Sequence, residues 1–518
     1  MRAINVLLSL VVSVLIFLLV FEGGLRLIGK GPAKTLNQFD PQLGWSKEPN
    51  RSLSRHGNGW EATFDINALG LRDDPMSTSA KTRKHRVLAL GDSFTLGFTV
   101  EREDLFVDLL EKKWQAEGRD LDVINTGTEG YSTDQEAAWL DQYGADYKPD
   151  LVLVFPYEND IFWCGEDHYQ KFPKPRYEAD GKRADGVLQD PGPKSIQDRS
   201  AVANLLCRKK DLDQYFAVAG NPKLRKEFAP LLVDEPEFMA NAKARAKGSL
   251  IALQRACGRI GAELVVVPIP SHSAVDPAFA AEFGSKVLRV GPGSWSADRP
   301  VDFYLDACRQ LNVKSIDVRT ELRAAHTTAQ PAYLNLFTER EWHFTVHGNH
   351  AFAAAIAAKL DALNVLPKAS GAPVEIAAEH QVAAGMPKWP FVMLGLWLVL
   401  SLVYGATYPK APKIQGFLVV GVMLSLVTAI FLGVAKLIDL VPPQFRPFIA
   451  IGFVLIVVGF VVYKLGARML TVGELLKAFI GRGHWYLMPL VVVLLTIGSL
   501  LVVAASSPFV APFIYTLF

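Results

Sequence analysis

The chain has 518 residues, 50% of them hydrophobic and 20% charged. That length exceeds one ordinary hydrophobic core, and the composition excludes a disordered or low-complexity chain. With 54 Lys and Arg against 52 Asp and Glu the net charge is +2, so no basic field exists to gather nucleic acid.

Residues 3–21 carry no charge. As a helix they reach roughly 28 Å, enough to cross a bilayer. Arg2 precedes them, and Glu22, Arg26 and Lys30 follow. No small-x-small cleavage site is present, so residues 1–30 are read as an uncleaved membrane anchor. A cleaved signal is the alternative. Residues 31–85 are read as a linker on the flank of a soluble domain spanning 86–366.

Within that domain, 86–90 (RVLAL) reads as a strand entering Gly91-Asp92-Ser93. Leu105, Phe106, Leu109, Leu110 and Trp114 follow at helical spacing. A second strand, 122–125, precedes a turn at 126–130 and a helix at 134–143. The third, 151–155 (LVLVF), lacks polar alternation, as a strand buried on both faces requires. A helix at 238–259 leads to a strand at 263–268, and a helix at 302–311 leads to 315–318. Strand and helix alternate, which predicts an α/β domain with a parallel sheet and helices on both faces. Residues 163–235 are too long for a simple crossover. They are read as a cap beside the site, or as a surface excursion without function. Residues 272–300 form a second expected rim.

After a linker at 367–388 the composition turns apolar. Residues 389–408, 414–437, 447–463 and 485–505 are each long enough, or nearly so, to span a bilayer. Lys410 and Lys413 lie in one connecting loop, and Lys464, Arg468, Lys477 and Arg482 in another. The positive-inside bias assigns these loops to the cytoplasm and the soluble domain to the far side. Few ionisable groups interrupt the spans, which argues against transport.

The chemistry gathers at strand ends. Ser93 follows a strand and opens a helix, where the helix terminus favours a developing anion. A serine needs a base, and His343 is the best candidate. Glu341 stands two positions upstream to hold the imidazole by its other nitrogen, with Glu339 as a rival. Gly130 offers a close backbone N–H and Asn159 a side-chain amide. Asp92 and Asp160 are read as supports, His347 and His350 as outer or surface residues, and Trp342 as a packing residue.

The blocks Gly91-Asp92-Ser93, Asn125-Thr126-Gly127-Thr128-Glu129-Gly130, Tyr157-Glu158-Asn159-Asp160 and Glu341-Trp342-His343 with Gly348 resemble the SGNH, or GDSL-type, hydrolase superfamily. The resemblance covers roughly 86–363. It implies a flavodoxin-like three-layer fold, Ser93 as nucleophile, His343 as base, and Ser93 N–H, Gly130 N–H and Asn159 as oxyanion donors. Two residues depart from the pattern: Glu341 stands for the usual Asp, and Tyr157 for a small residue. The tail, about 470–518, resembles a small membrane protein family of unknown function, which implies no chemistry.

Cys164, Cys207, Cys257 and Cys308 lack zinc spacing. The expected pairings are Cys164–Cys207 and Cys257–Cys308, with buried free thiols as the alternative. No cofactor and no metal are expected. The functional expectation is an envelope serine esterase or O-acyltransferase in the bacterial inner membrane, its site in the periplasm. It would act on acyl esters of a polysaccharide or glycolipid, with the lipid bilayer and other envelope polysaccharide proteins as partners and no nucleic acid. A glycan-binding assembly subunit without turnover is the rival.

Overall fold

A computed structural model describes residues 35–370, except 76–80, 82, 170, 185, 193–199, 207–216, 219–220 and 338–340, together with isolated positions at 18, 22 and between 397 and 425. The chain divides into two compact units. One comprises Lys34–Pro193 and Lys210–Glu379; the other comprises Met1–Ala33, Lys194–Lys209 and His380–Phe518. In the second unit, Glu22 accepts hydrogen bonds from Ala201 N and Val202 N, each at 2.9 Å, at the start of the short helix Ala201–Leu206. The expected anchor and the four C-terminal spans lie almost wholly outside the described residues. Among the described residues, no helix is long and apolar enough to cross a membrane.

The first unit opens with two antiparallel hairpins, β1 (Asn37–Asp40) with β2 (Gly44–Lys47) and β3 (Ser52–Gly57) with β4 (Trp60–Asp65). Three strands then alternate with helices: β5 (His85–Gly91), β6 (Leu121–Asn125) and β7 (Leu151–Phe155). The insertion carries two small hairpins, β8 (His168–Tyr169) with β9 (Phe172–Pro173), and β10 (Ala217–Val218) with β11 (Asn221–Arg225). Strands β12 (Glu263–Val266) and β13 (Lys314–Ser315) complete the sheet.

Five strands pair in parallel in the order β6-β5-β7-β12-β13. Numbered along the chain this order is 2-1-3-4-5, the doubly wound arrangement whose direction reverses between β5 and β7. Both sheet faces are apolar, as the sequence predicts. Val87, Ala89, Leu151, Leu153, Phe155 and Val265 join one core. Leu88, Leu90, Val152, Val154, Leu264 and Val266, their sequence neighbours, join the other. Successive residues point to opposite faces of a strand, so this split makes three layers. Helices Phe106–Ala116 and Val346–Leu363 cover the first face; Thr133–Tyr147, Phe238–Ile260 and Arg299–Leu311 cover the second. Each fully buried Leu or Val contributes about 1.5–3 kcal/mol.

The disulfide expectation fails. Cys164, Cys257 and Cys308 are free and buried, so neither bridge forms; Cys207 lies outside the described residues. Cys257 and Cys308 sit in the apolar core of one layer, where burial pushes both thiols up to about 12. They act there as small hydrophobic side chains.

Candidate functional site

Ser93 stands at the carboxyl end of β5, next to the point where strand order reverses. Open α/β sheets bind ligands in that crevice. Asp92 follows the strand and caps the short helix Ser93–Leu96, accepting from Phe94 N at 2.8 Å. Burial pushes the Asp92 carboxyl up to about 6, against the pull of that N–H and of His343. The helix stops at once on Gly97, which is left-handed at φ 80°. The turn after β6 runs close beneath it. A Cβ on Gly127 would lie 2.4 Å from Leu96 N, so only glycine fits this approach.

His343 comes from the other end of the domain. Its loop is held like a strand pair, by Leu334 N to His343 O at 2.8 Å and Thr345 N to Ala332 O at 2.9 Å. Leu336 and Glu341 exchange backbone hydrogen bonds at 3.2 and 3.1 Å. Thr345 then caps the helix Val346–Leu363 by accepting from Gly348 N at 3.0 Å. This brings His343 Nε2 to 2.7 Å from Ser93 Oγ, across 250 residues of sequence. Glu341 Oε1 is in direct hydrogen-bond contact with His343 Nδ1 and accepts His343 N at 3.3 Å. Glu339 lies outside the described residues.

The imidazole is placed by rings as well as by charge. Phe94 lies 4.5 Å from it and Phe98 stacks at 5.1 Å, centroid to centroid. Burial disfavours the imidazolium, but the Glu341 carboxylate outweighs this and holds the His343 pKa above its ordinary value. Glu341 itself is held low: burial opposes its charge, and His343 overcomes it. With its Nδ1–H committed to a carboxylate, the imidazole turns the Nε2 lone pair toward the serine hydroxyl. The set can accept the Ser93 proton and hold the resulting cation.

Gly130 sits in the turn after β6 at φ 78°, a conformation that favours glycine. Asn159 opens the short helix Asp160–Trp163 at the end of β7, and its side chain does not cap that helix. Tyr157 packs on the Phe94 ring at 4.6 Å. Asp160 is fully buried, with Thr133 Oγ1 at 3.3 Å from Oδ2. His347 Nε2 meets Ala325 O at 3.0 Å, and His350 is exposed beside Asp104. Trp342 joins an apolar cluster with Phe279 and Phe283, to which the insertion adds Phe228, Leu231 and Leu232.

Sequence reasoning missed the contribution of residues 35–66. Arg55 pairs with Glu129 at 2.9 Å and lies 5.2 Å over the Phe98 ring, one ring away from His343. No local pattern announces it, because the pairing joins positions 74 residues apart.

Among the described residues, one group has metal-like spacing: His272, Asp276 and His326 bring ligand-type atoms within 4.8 Å of one another. The Ala332 N–H donates to His326 Nδ1 at 3.1 Å. The neutral ring therefore carries its proton on Nε2, the atom facing Asp276 at 3.4 Å. A protonated nitrogen has no lone pair for a metal. His272 is pushed down to about 3 by burial and stacks between Phe279 and Tyr333, at 3.7 and 5.0 Å.

A family of unknown function (DUF5989) matches residues 469–518. No curated protein matches the chain. Among solved structures it is similar to a lipase/acylhydrolase from Enterococcus faecalis, at 14% identity over 54% of this chain and 97% of that one, with a TM-score of 0.31. An acetyl xylan esterase, AlAXEase, is 11% identical over 53% of this chain and 99% of its own, with a TM-score of 0.30. The psychrotrophic esterase EstA from Pseudoalteromonas sp. is 12% identical over 54% and 98%, with a TM-score of 0.29.

Proposed function

We propose that this protein is a serine esterase or O-acyltransferase, with Ser93 as nucleophile, His343 as general base and Glu341 as its orienting acid. The observation that carries this reading is the continuous contact from Ser93 Oγ to His343 Nε2 at 2.7 Å, and from His343 Nδ1 to Glu341. Ser93 Oγ attacks the ester carbonyl as its proton passes to His343 Nε2. Ser93 N–H, Gly130 N–H and the Asn159 amide take the negative oxygen. The alcohol leaves with the proton from His343, and an acyl-serine remains. Water or a sugar hydroxyl, deprotonated by the same imidazole, then takes the acyl group and frees Ser93.

The substrate class in this proposal is an acyl ester, acetyl above all, on an envelope or exported polysaccharide or glycolipid. Support comes from the uncharged run at 3–21 and the four apolar runs after 389, which fit a bilayer-held enzyme whose site faces the periplasm. The test uses the full chain with a chromogenic acetyl ester and a fluorophosphonate probe. Activity and a stable adduct on Ser93, both lost in Ser93→Ala, are the expected result. An unaltered rate in Ser93→Ala refutes the assignment. A folded wild-type chain that forms no adduct supports the glycan-binding reading instead.

A further inference from the structure

Strand β2 lies against the turn that carries Gly130. Residues 45 and 47 fall on one face of that strand, by its two-residue period. Both side chains end on the turn's acceptors. Trp45 Nε1 donates to Glu129 O at 3.0 Å. Lys47 Nζ donates to Thr126 O at 3.2 Å, Gly127 O at 2.6 Å and Thr128 Oγ1 at 2.7 Å. An ammonium has three N–H donors, and here each finds an acceptor on one short segment. Both side chains are buried, Lys47 at 3% exposure and Trp45 at 1%. Tyr131, at the far end of the turn, returns a bond from its hydroxyl to Trp45 O at 2.6 Å.

Three of the turn's N–H groups are committed to the sheet side. Thr126 N donates to Ala89 O at 3.0 Å, Thr128 N to Gly91 O at 3.0 Å, and Gly127 N to Asn125 Oδ1 at 2.9 Å. The Glu129 and Gly130 N–H groups are not so committed, and the direction of the second is set indirectly. The Glu129 carbonyl and the Gly130 N–H belong to one planar trans peptide unit, so they point in opposite directions. An indole N–H that holds Glu129 O therefore also aims Gly130 N–H.

We propose that Trp45 and Lys47 are positioning residues that aim the Gly130 N–H at the developing oxyanion, an inference that rests on reading Gly130 as an oxyanion donor. Strand β2 thus positions the candidate site through Trp45 and Lys47 rather than serving as a linker. A donor aimed at charge that exists only in the transition state raises kcat and leaves ground-state binding alone. Removing one oxyanion donor outright costs roughly 100- to 1,000-fold in kcat. Loosening its aim is a smaller perturbation, on the order of 10- to 100-fold by the same principle.

The test uses the full-length chain. Trp45→Phe keeps a ring and removes the N–H; Lys47→Met keeps the stem and removes the charge; Lys47→Arg keeps charge and donors. Ester kinetics and amide hydrogen exchange over 125–131 are measured together. The expected result is a kcat loss of at least tenfold in Trp45→Phe and Lys47→Met, with KM unchanged and partial recovery in Lys47→Arg. Exchange at 125–131 rises, while the segments bearing Ser93 and His343 keep their protection. The proposal is overturned by a folded variant with wild-type kcat, by a loss confined to KM, or by unchanged exchange at 125–131. If Trp45→Phe does not fold, the two Lys47 variants decide the matter. If the wild-type chain turns over no ester and forms no adduct, the esterase reading fails separately. The exchange arm then still decides whether β2 holds the turn: raised exchange supports it and unchanged exchange rejects it.

Discussion

Glu341→Gln tests the electrostatic part of the site, because the amide keeps the shape and removes the charge. The carboxylate touches the imidazole directly and lies in a half-closed setting, with Glu341 11% and His343 22% exposed. Unit charges about 4 Å apart at an effective dielectric constant of about 20 attract by about 4 kcal/mol. At roughly 1.4 kcal/mol per decade this is about a thousandfold in kcat/KM, provided the charge is felt mainly when the imidazolium forms. The amide also donates to Nδ1 and moves the ring proton to Nε2, which deepens the loss. The assay is hydrolysis of a chromogenic acetyl ester across neutral pH.

The profile carries a second, independent readout. The base works only when neutral, so the rate rises with pH through the His343 pKa. In the wild type that pKa stands above its ordinary value because the Glu341 charge outweighs burial. Without that charge burial is opposed only by the smaller pull of Asp92 and Glu129, so the pKa falls and the acid limb of the variant moves to lower pH. A variant within tenfold of wild type, or an acid limb that stays in place, refutes the assignment of Glu341.

Lys174 and Asp134 form a buried pair at 3.1 Å, with Lys174 also donating to Trp163 O at 2.9 Å. Lys174→Met leaves the Asp134 carboxylate buried without its cation, which costs about 3–5 kcal/mol. Urea unfolding checks this, and a loss under about 1 kcal/mol contradicts it. Burial also raises Glu158 to about 7 and Glu111 to about 8, and pushes Glu136 and Asp160 upward as well. From the ordinary carboxylate range up to pH 7 the folded chain therefore holds more protons than the unfolded one, so stability falls as pH rises. His272, pushed down to about 3 by burial, opposes this below the ordinary imidazole pKa but is outnumbered by the raised carboxyls, and Lys47, lowered to about 7 by burial, acts in the opposite sense only above that pH. The urea midpoint is expected to be higher near pH 5 than near pH 7, and the reverse order refutes the reading.

The sequence by itself determined the layers and the edge on which the site stands. Burial within one element is written in its own spacing: LVLVF at 151–155 has no polar residue to turn outward, and the structure covers both its faces. The close approach of Gly127 to Leu96, 31 residues away, was by contrast not legible, because it is made between elements. The tertiary structure alone decided which distant groups meet. Nothing in the spacing of residues 34–66 distinguishes a linker from a strand whose Trp45 reaches Glu129, 84 residues away. Nor does spacing separate cysteines that bridge from those that fill a core, as Cys257 and Cys308 do. A proton's place on His326 depended likewise on a backbone N–H from Ala332. Such pairings carry no periodic signature, because they depend on how whole elements pack rather than on the order of residues within one.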